Sequence, residues 1–128
     1  MTQFILATTK HHFKIIETLA DAIWREYYIP IIGIDQVEYM LKNFQSAEAM
    51  YSQHNAGYQY FFIHFKDEPV GYLSFIKREN CLFLSKIYVS KDFRGKKIGK
   101  TAMDFVEKSA LEQHCKSITL GVNTYNSK

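Results

Sequence analysis

The chain has 128 residues, enough for one domain that buries a core without a disulfide or a structural metal. Hydrophobic residues make up 47% of it and aromatic residues 16%, which excludes a disordered chain. The formal net charge of +3 is too small to indicate nucleic acid binding by itself. No apolar run is long enough for a bilayer span, and no signal peptide is visible. Because Cys81 and Cys115 lack a close spacing, we expect reduced thiols in a cytoplasmic protein.

The first predicted elements are a strand and a long amphipathic helix. The strand covers Phe4 to Ala7, and the hydroxyl of Thr8 or Thr9 is suited to cap the helix that follows. Pro30 and Gly33 predict that this helix stops there and that a loop follows. Its apolar residues recur at the spacing of one buried helical face: Phe13, Ile16, Leu19, Ala20, Ile23, Trp24 and Tyr27.

Two shorter helices are predicted next. Asp35 is placed to cap a helix that carries the apolar residues of 37–44. A further helix covers Ser46 to His54 and ends near Asn55 and Gly57, which are both good helix terminators.

The pattern then changes to strands. Tyr58 to Phe65 is almost continuously aromatic and β-branched, which is typical of a strand buried on both faces. Val70 to Lys77 is the next strand, with Gly71 at a candidate bulge, and Leu82 to Val89 is the third. Because only short polar turns separate the three strands, we expect an antiparallel meander.

A last helix and strand complete the predicted order. The helix begins at about Ile98, and Ser117 to Val122 forms the strand after it. A strand, a helix and a strand in this order favour a parallel, right-handed crossover. The sequence therefore predicts an α/β fold of the α+β kind, in which a mixed, mostly antiparallel sheet has helices on both faces. We expect a single domain over residues 1–128.

A basic segment, Arg94 to Lys100, lies between the third of these strands and the last helix. Helix N-termini present unpaired amides and a partial positive charge, so lysines there are unfavourable unless an anion offsets them. A pyrophosphate fits that description, and the alternative is a solvated basic turn. The segment is neither a Walker A loop nor the dinucleotide glycine fingerprint, because its glycines do not match either spacing.

The stretch from Leu84 to Lys100 resembles the signature of the GNAT superfamily of N-acetyltransferases. That signature has a strand ending in an aliphatic-Tyr-Val run, a short connection, and an Arg-Gly-x-Gly-aliphatic-Gly loop that opens a helix. Arg94 and Gly99 match the ends of the family's pattern, whereas Lys97 stands where its middle glycine usually lies. The order of the other predicted elements also agrees with the family's fold over nearly the whole chain.

The resemblance implies that acetyl-CoA lies in a gap between two diverging strands. Here the gap falls between Ile87–Val89 and Leu120–Val122. The main chain of Ile87, Tyr88 and Val89 is then expected to pair with the pantetheine arm, and the amide of Val89 to polarise the thioester carbonyl.

The resemblance assigns the remaining cofactor contacts to the basic segment and to the end of the chain. An asparagine after the last strand contacts coenzyme A in the family, and Asn123 and Asn126 stand at that place. The pyrophosphate is expected to be held by Arg94, Gly95, Lys96, Lys97, Ile98, Gly99 and Lys100.

The same resemblance implies direct acetyl transfer to a primary amine, with no metal and no covalent enzyme intermediate. The amine must lose a proton, and Glu26 is the candidate general base, with a solvated surface carboxylate as the alternative. Tyr27 and Tyr28 are expected to line the acceptor pocket. The five histidines show no metal-ligand spacing. The acceptor itself, a small molecule or a peptide, stays open.

The family usually continues with a helix that carries a tyrosine and two more strands, so we expect that the C-terminal part of the domain is missing. An exposed edge of the last strand predicts self-association. Two other functions stay open, a non-catalytic coenzyme A binding or regulatory module and a basic nucleic-acid-binding domain. The second is disfavoured by the small basic footprint, and we expect neither nucleic acid nor membrane as a partner.

Overall fold

A computed structural model describes residues 2–93, 95 and 97–121 of the chain. Its centre is a five-stranded sheet in which the strands lie side by side in chain order. The first four strands are antiparallel and the fifth is parallel to the fourth, which confirms the predicted mixed sheet. The strands are β1 (Thr2–Ala7), β2 (Gln59–Phe65), β3 (Glu68–Arg78), β4 (Cys81–Val89) and β5 (Ser117–Leu120).

Helices cover both faces of the sheet, as predicted. Three of them pack on one face around the buried side chains of Tyr60, Tyr72 and Tyr88. The fourth packs on the opposite face against Leu73 and Leu84. The helices are α1 (Lys10–Ile32), α2 (Ile34–Phe44), α3 (Ala47–Asn55) and α4 (Ile98–Glu112).

Helix α1 begins where the sequence predicts and ends later. The Thr9 side chain accepts a hydrogen bond from the amide of His12, and the ring of His12 accepts one in return from the amide of Thr9. The predicted stop at Pro30 is wrong, because the helix continues to Ile32. Proline near a helix end removes only one intrahelical hydrogen bond. Gly33 ends the helix with a φ of +89°, a conformation that glycine adopts at little cost.

The two following helices differ at their starts. Asp35 was expected to cap α2, but the cap position is Gly33 and Asp35 lies inside the first turn. A carboxylate there still interacts favourably with the helix dipole. Ser46, predicted as the first residue of the next helix, is the cap of α3, and its hydroxyl accepts a hydrogen bond of 3.1 Å from the amide of Ala49.

Two bulges interrupt the sheet. In β3 the extra residue is Val70, next to the glycine that the sequence singled out. In β4 it is Ser85, because Ser74 pairs with Lys86 whereas the next residue of β3 pairs with Leu84. An extra residue shifts the alternation of side chains between the two faces. Leu84 therefore packs on the α4 side, whereas Lys86 lies among the groups on the side of α1 to α3.

Candidate functional site

The end of β4 is the first part of the candidate site. Within the described residues, β5 pairs with β4 only from Cys81 to Leu84, and the last contact is a 2.8 Å hydrogen bond from Gly121 N to Leu84 O. Beyond it, β4 continues to Val89 alongside β3. The expected gap lies beside this segment, although Val122 falls outside the described residues.

The side chains of this segment, Ile87 to Val89, pack in the two hydrophobic cores. Ile87 and Val89 pack in the core beneath α4, and Tyr88 is buried in the core beneath α1. The Tyr88 ring lies 5.2 Å from that of Tyr72 and 5.7 Å from that of Trp24, measured between centroids. The three residues that the sequence assigned to the cofactor therefore offer it their main chain rather than their side chains.

A close approach of β3 fixes the position of that main chain. A Cβ atom added to Gly71 would lie 2.3 Å from the carbonyl oxygen of Tyr88, far inside van der Waals contact. Just beyond the strand, Ser90 donates a 2.8 Å hydrogen bond to the carbonyl of Val70. Any larger side chain at Gly71 must displace the backbone on which the expected thioester contact depends.

The start of α4 is the second part of the site. Lys97 occupies the cap position and no side chain caps the helix, whose first turn holds no acidic residue. The amides of such a first turn have no intrahelical acceptor and attract anions. Gly95 and Gly99 are exposed, and a Cβ at Gly99 would meet no described atom within 4 Å, so a ligand has room to approach the backbone. Ile98 is only 1% exposed and contributes its amide alone.

Lys97 is the residue that departs from the family's glycine pattern. Its φ is +63°, in the left-handed region that glycine enters readily and other residues enter at a cost of about 1 kcal/mol. Lys97 thus has a backbone conformation that glycine favours and adds an exposed cation. Lys100 is also exposed and pairs with Asp104 at 3.3 Å. Arg94 and Lys96, together with Asn123 and Asn126, lie outside the described residues.

The residues expected on the acceptor side lie at the C-terminal end of α1. Glu26 is exposed on the helix surface. Tyr28 is 1% exposed, and its ring lies 4.3 Å from that of Trp24, so its side chain is part of the core. Tyr27 is half-buried and meets Tyr28 edge to face, with ring centroids 4.8 Å apart. Only Tyr27 of the two tyrosines therefore has ring surface exposed to an acceptor.

Sequence reasoning gave no role to Lys86, which the structure singles out. Its side chain is 5% exposed. Its Nζ donates to the carbonyl of Phe44 at 2.6 Å and to the hydroxyl of Tyr60 at 2.8 Å. Burial lowers the pKa of Lys86 to about 7. The signal available in the sequence is a lysine within a strand that is otherwise mostly apolar.

No group of three or more His, Cys, Asp or Glu side chains in the described part of the chain is arranged to hold a metal ion. Among the helices formed by those residues, none combines the length and the apolar character that a membrane crossing requires.

Within the described residues, the mixed sheet and the uncapped start of α4 with its exposed lysines agree with the expected acetyltransferase fold. The chain belongs to the acetyltransferase (GNAT) family, whose model matches residues 16–128. No curated protein matches the chain.

Solved structures share the fold across very different sequences. The PaiA N-acetyltransferase of Thermoplasma acidophilum, in complex with coenzyme A, has a TM-score of 0.83 and 20% identity over 99% of this chain and 82% of its own. A GNAT-family acetyltransferase of Staphylococcus aureus Mu50 has a TM-score of 0.67 and 25% identity, covering 98% and 77%. The ribosomal-protein-alanine N-acetyltransferase of Brucella melitensis biovar Abortus 2308 has a TM-score of 0.59 and 16% identity, covering 96% and 81%.

Proposed function

We propose that the chain transfers the acetyl group of acetyl-CoA directly to a primary amine of a small molecule or peptide. The observation that carries the proposal is the uncapped start of α4, which follows β4 after the connection of residues 90–97. Within the described residues, β4 pairs with β5 only as far as Leu84. A pyrophosphate at the helix start and an extended arm along the strand fit this arrangement.

The residues present fit a coenzyme with a pyrophosphate. The first-turn amides of α4 and the exposed cations Lys97 and Lys100 offset its negative charge, with Arg94 and Lys96 adjacent in sequence. The main chain of 87–89 supplies hydrogen bonds along the pantetheine arm. The amide of Val89 is proposed to donate to the thioester carbonyl, where negative charge develops. Asn123 and Asn126 remain proposed contacts from the sequence.

Acetyl-CoA supplies an activated acyl group, and the chain supplies alignment and proton transfer. The amine nitrogen forms a bond to the carbonyl carbon while the carbon–sulfur bond breaks. The amine proton must be removed and the departing thiolate must gain one. Glu26 is the proposed base, acting through water because it lies on the helix surface. Neither Cys81 nor Cys115 takes part, because direct transfer needs no nucleophilic side chain.

The acceptor is the part of the proposal that the fold determines least. The names of two similar solved structures refer to different acceptors, an aminoglycoside in one and the alanine of a ribosomal protein in the other. The exposed surface of Tyr27 at the end of α1 supports an acceptor that packs against an aromatic ring.

The free state of both cysteines supports a reducing, cytoplasmic location.

Thiol release from acetyl-CoA, measured over a panel of polyamines, amino sugars, amino acids and peptides, tests the proposal. We expect saturable release with one class of amine, and a product heavier by one acetyl group. Saturable binding of acetyl-CoA without release for any amine would instead support a non-catalytic binding module.

The Glu26→Gln variant tests the proposed base within the same assay. We expect kcat to fall by about 10²-fold, the lower range for loss of a general base. Glu107→Gln, which changes an exposed glutamate of α4, is the matched control. Equal rates in both variants would show that Glu26 is not the general base, without contradicting acetyl transfer itself.

A further inference from the structure

Lys86 places an amino group in the middle of an aromatic core. It lies on the sheet face that α1, α2 and α3 cover, and none of the ion pairs among the described residues includes it. Burying an ammonium group without a counter-charge is unfavourable, and an apolar side chain of similar size would cost less. A role that depends on its hydrogen bonds accounts for a lysine at this position.

The contacts of Lys86 connect the strand β4 to the C-terminal end of α2. Its Nζ donates to the carbonyl of Phe44, the last residue of α2, whose oxygen has no intrahelical donor. A cation at this end of a helix is also favoured by the helix dipole. The same Nζ donates to Tyr60 of β2 and lies 3.5 Å from Oε1 of Gln53 in α3. One side chain therefore joins two strands and two helices.

A second buried link lies beside the first. The hydroxyl of Tyr72 in β3 donates to Oε1 of Gln45 at 2.8 Å, and Gln45 is the residue directly after α2. Both links hold the same end of the helix. Val37 is the one residue of α2 that is fully buried, and Met40 and Leu41 pack partly buried against the same core. The polar contacts at Phe44 and Gln45 add to this apolar packing at the C-terminal end of the helix.

The other end of α2 begins next to the expected acceptor side. Gly33 separates it from the end of α1, which carries Tyr27. The bulge at Ser85 places Lys86 on the α2 side only three residues before Val89. The link made by Lys86 therefore connects the strand expected to hold the thioester to a helix whose other end adjoins the expected acceptor side.

We infer that Lys86 is a positioning residue for acetyl transfer, which fixes α2 against β4 and so sets the acceptor side relative to the cofactor strand. The inference rests on the proposed function. The competing role is a purely structural cap of α2, which would change the stability of the protein without changing the affinity for the amine.

The test removes the amino group of Lys86 while keeping a side chain of similar length. Lys86→Met removes the three donated hydrogen bonds, and Lys77→Met, at an exposed lysine of β3, is the matched control. Hydrogen exchange of the α2 amides, compared with those of α4 in the same sample, reports the link directly. We expect α2 to lose about tenfold or more in protection, the size of one buried charge-assisted hydrogen bond, while α4 keeps its protection.

Kinetics with the best amine of the panel give the second readout. For Lys86→Met we expect the KM of the amine to rise by about tenfold, with the Kd of acetyl-CoA changed by less than about twofold. Lys86→Gln keeps a neutral donor toward Phe44, so it should recover part of both losses and serves if the Met variant does not fold. Unchanged α2 exchange, or an unchanged KM in an active enzyme, would overturn the inference. An inactive wild-type chain would count against the proposed function, while the exchange measurement still decides whether the link exists.

Discussion

Replacement of Lys86 by methionine should make the stability of the protein respond differently to pH. In the folded state burial lowers the pKa of Lys86 from 10.5 to about 7. Between these values the unfolded chain keeps a proton that the folded chain has lost. Because the unfolded state binds more protons, the free energy of unfolding rises with pH across this window. Below pH 7 the group is charged in both states and contributes no slope.

The magnitude follows from the distance between the two pKa values. They differ by about 3.5, and at about 1.36 kcal/mol for each unit the full effect is about 5 kcal/mol. Burial also raises the pKa of Tyr60 and Tyr88, which lowers stability above about pH 10, so the window to measure ends near pH 9.5.

Urea unfolding at pH 6, 7, 8 and 9 measures the effect, with wild type and Lys86→Met compared at each pH. All other groups are the same in both proteins, so their contributions cancel in the difference. We expect the free energy of unfolding of wild type, relative to the variant, to rise by about 1.4 kcal/mol for each pH unit above 7. A difference that stays constant from pH 6 to pH 9 would refute the assignment of a lowered pKa to Lys86.

Three further changes test the backbone that forms the site. Gly71→Ala should lower the free energy of unfolding, measured in urea, by about 1–3 kcal/mol and reduce thiol release, because its Cβ meets the carbonyl of Tyr88. Full activity would contradict this prediction. Lys97→Gly should raise the free energy of unfolding by about 0.5–1 kcal/mol, since it relieves a left-handed residue, while weakening acetyl-CoA binding in calorimetry. Thr9→Ala should lower the free energy of unfolding by about 1 kcal/mol and so lower the thermal midpoint, because the amide of His12 loses its acceptor. An unchanged midpoint would refute the capping role.

The sequence predicts elements whose signals are local. The aromatic run of β2 and the polar turns beside it indicate the meander, and the apolar spacing of α1 indicates its buried face. Pro30 misleads because its missing hydrogen bond costs little so close to the helix end, and the glycine after Ile32 decides where the helix stops.

The part of the site that sequence reasoning missed depends on pairing between strands. Nothing at Ser85 marks a bulge, since the extra residue is defined only by the register that β4 takes against β3. Without that bulge Lys86 would face α4, so its contact with Phe44 is not visible in the local pattern. The basic segment is the opposite case, because its charges and glycines lie next to one another in sequence.

The central claim is that the start of α4 and the end of β4 bind acetyl-CoA, and calorimetric titration tests it most directly. Three proteins are compared: wild type, Lys97→Ala/Lys100→Ala, and the control Lys77→Ala/Lys108→Ala, which removes the same charge from exposed sites elsewhere. We predict saturable binding with one site, weakened by about tenfold in the loop variant, equal to about 1.4 kcal/mol, and unchanged in the control. No binding by folded wild type, or an equal loss in both double variants, would contradict the account.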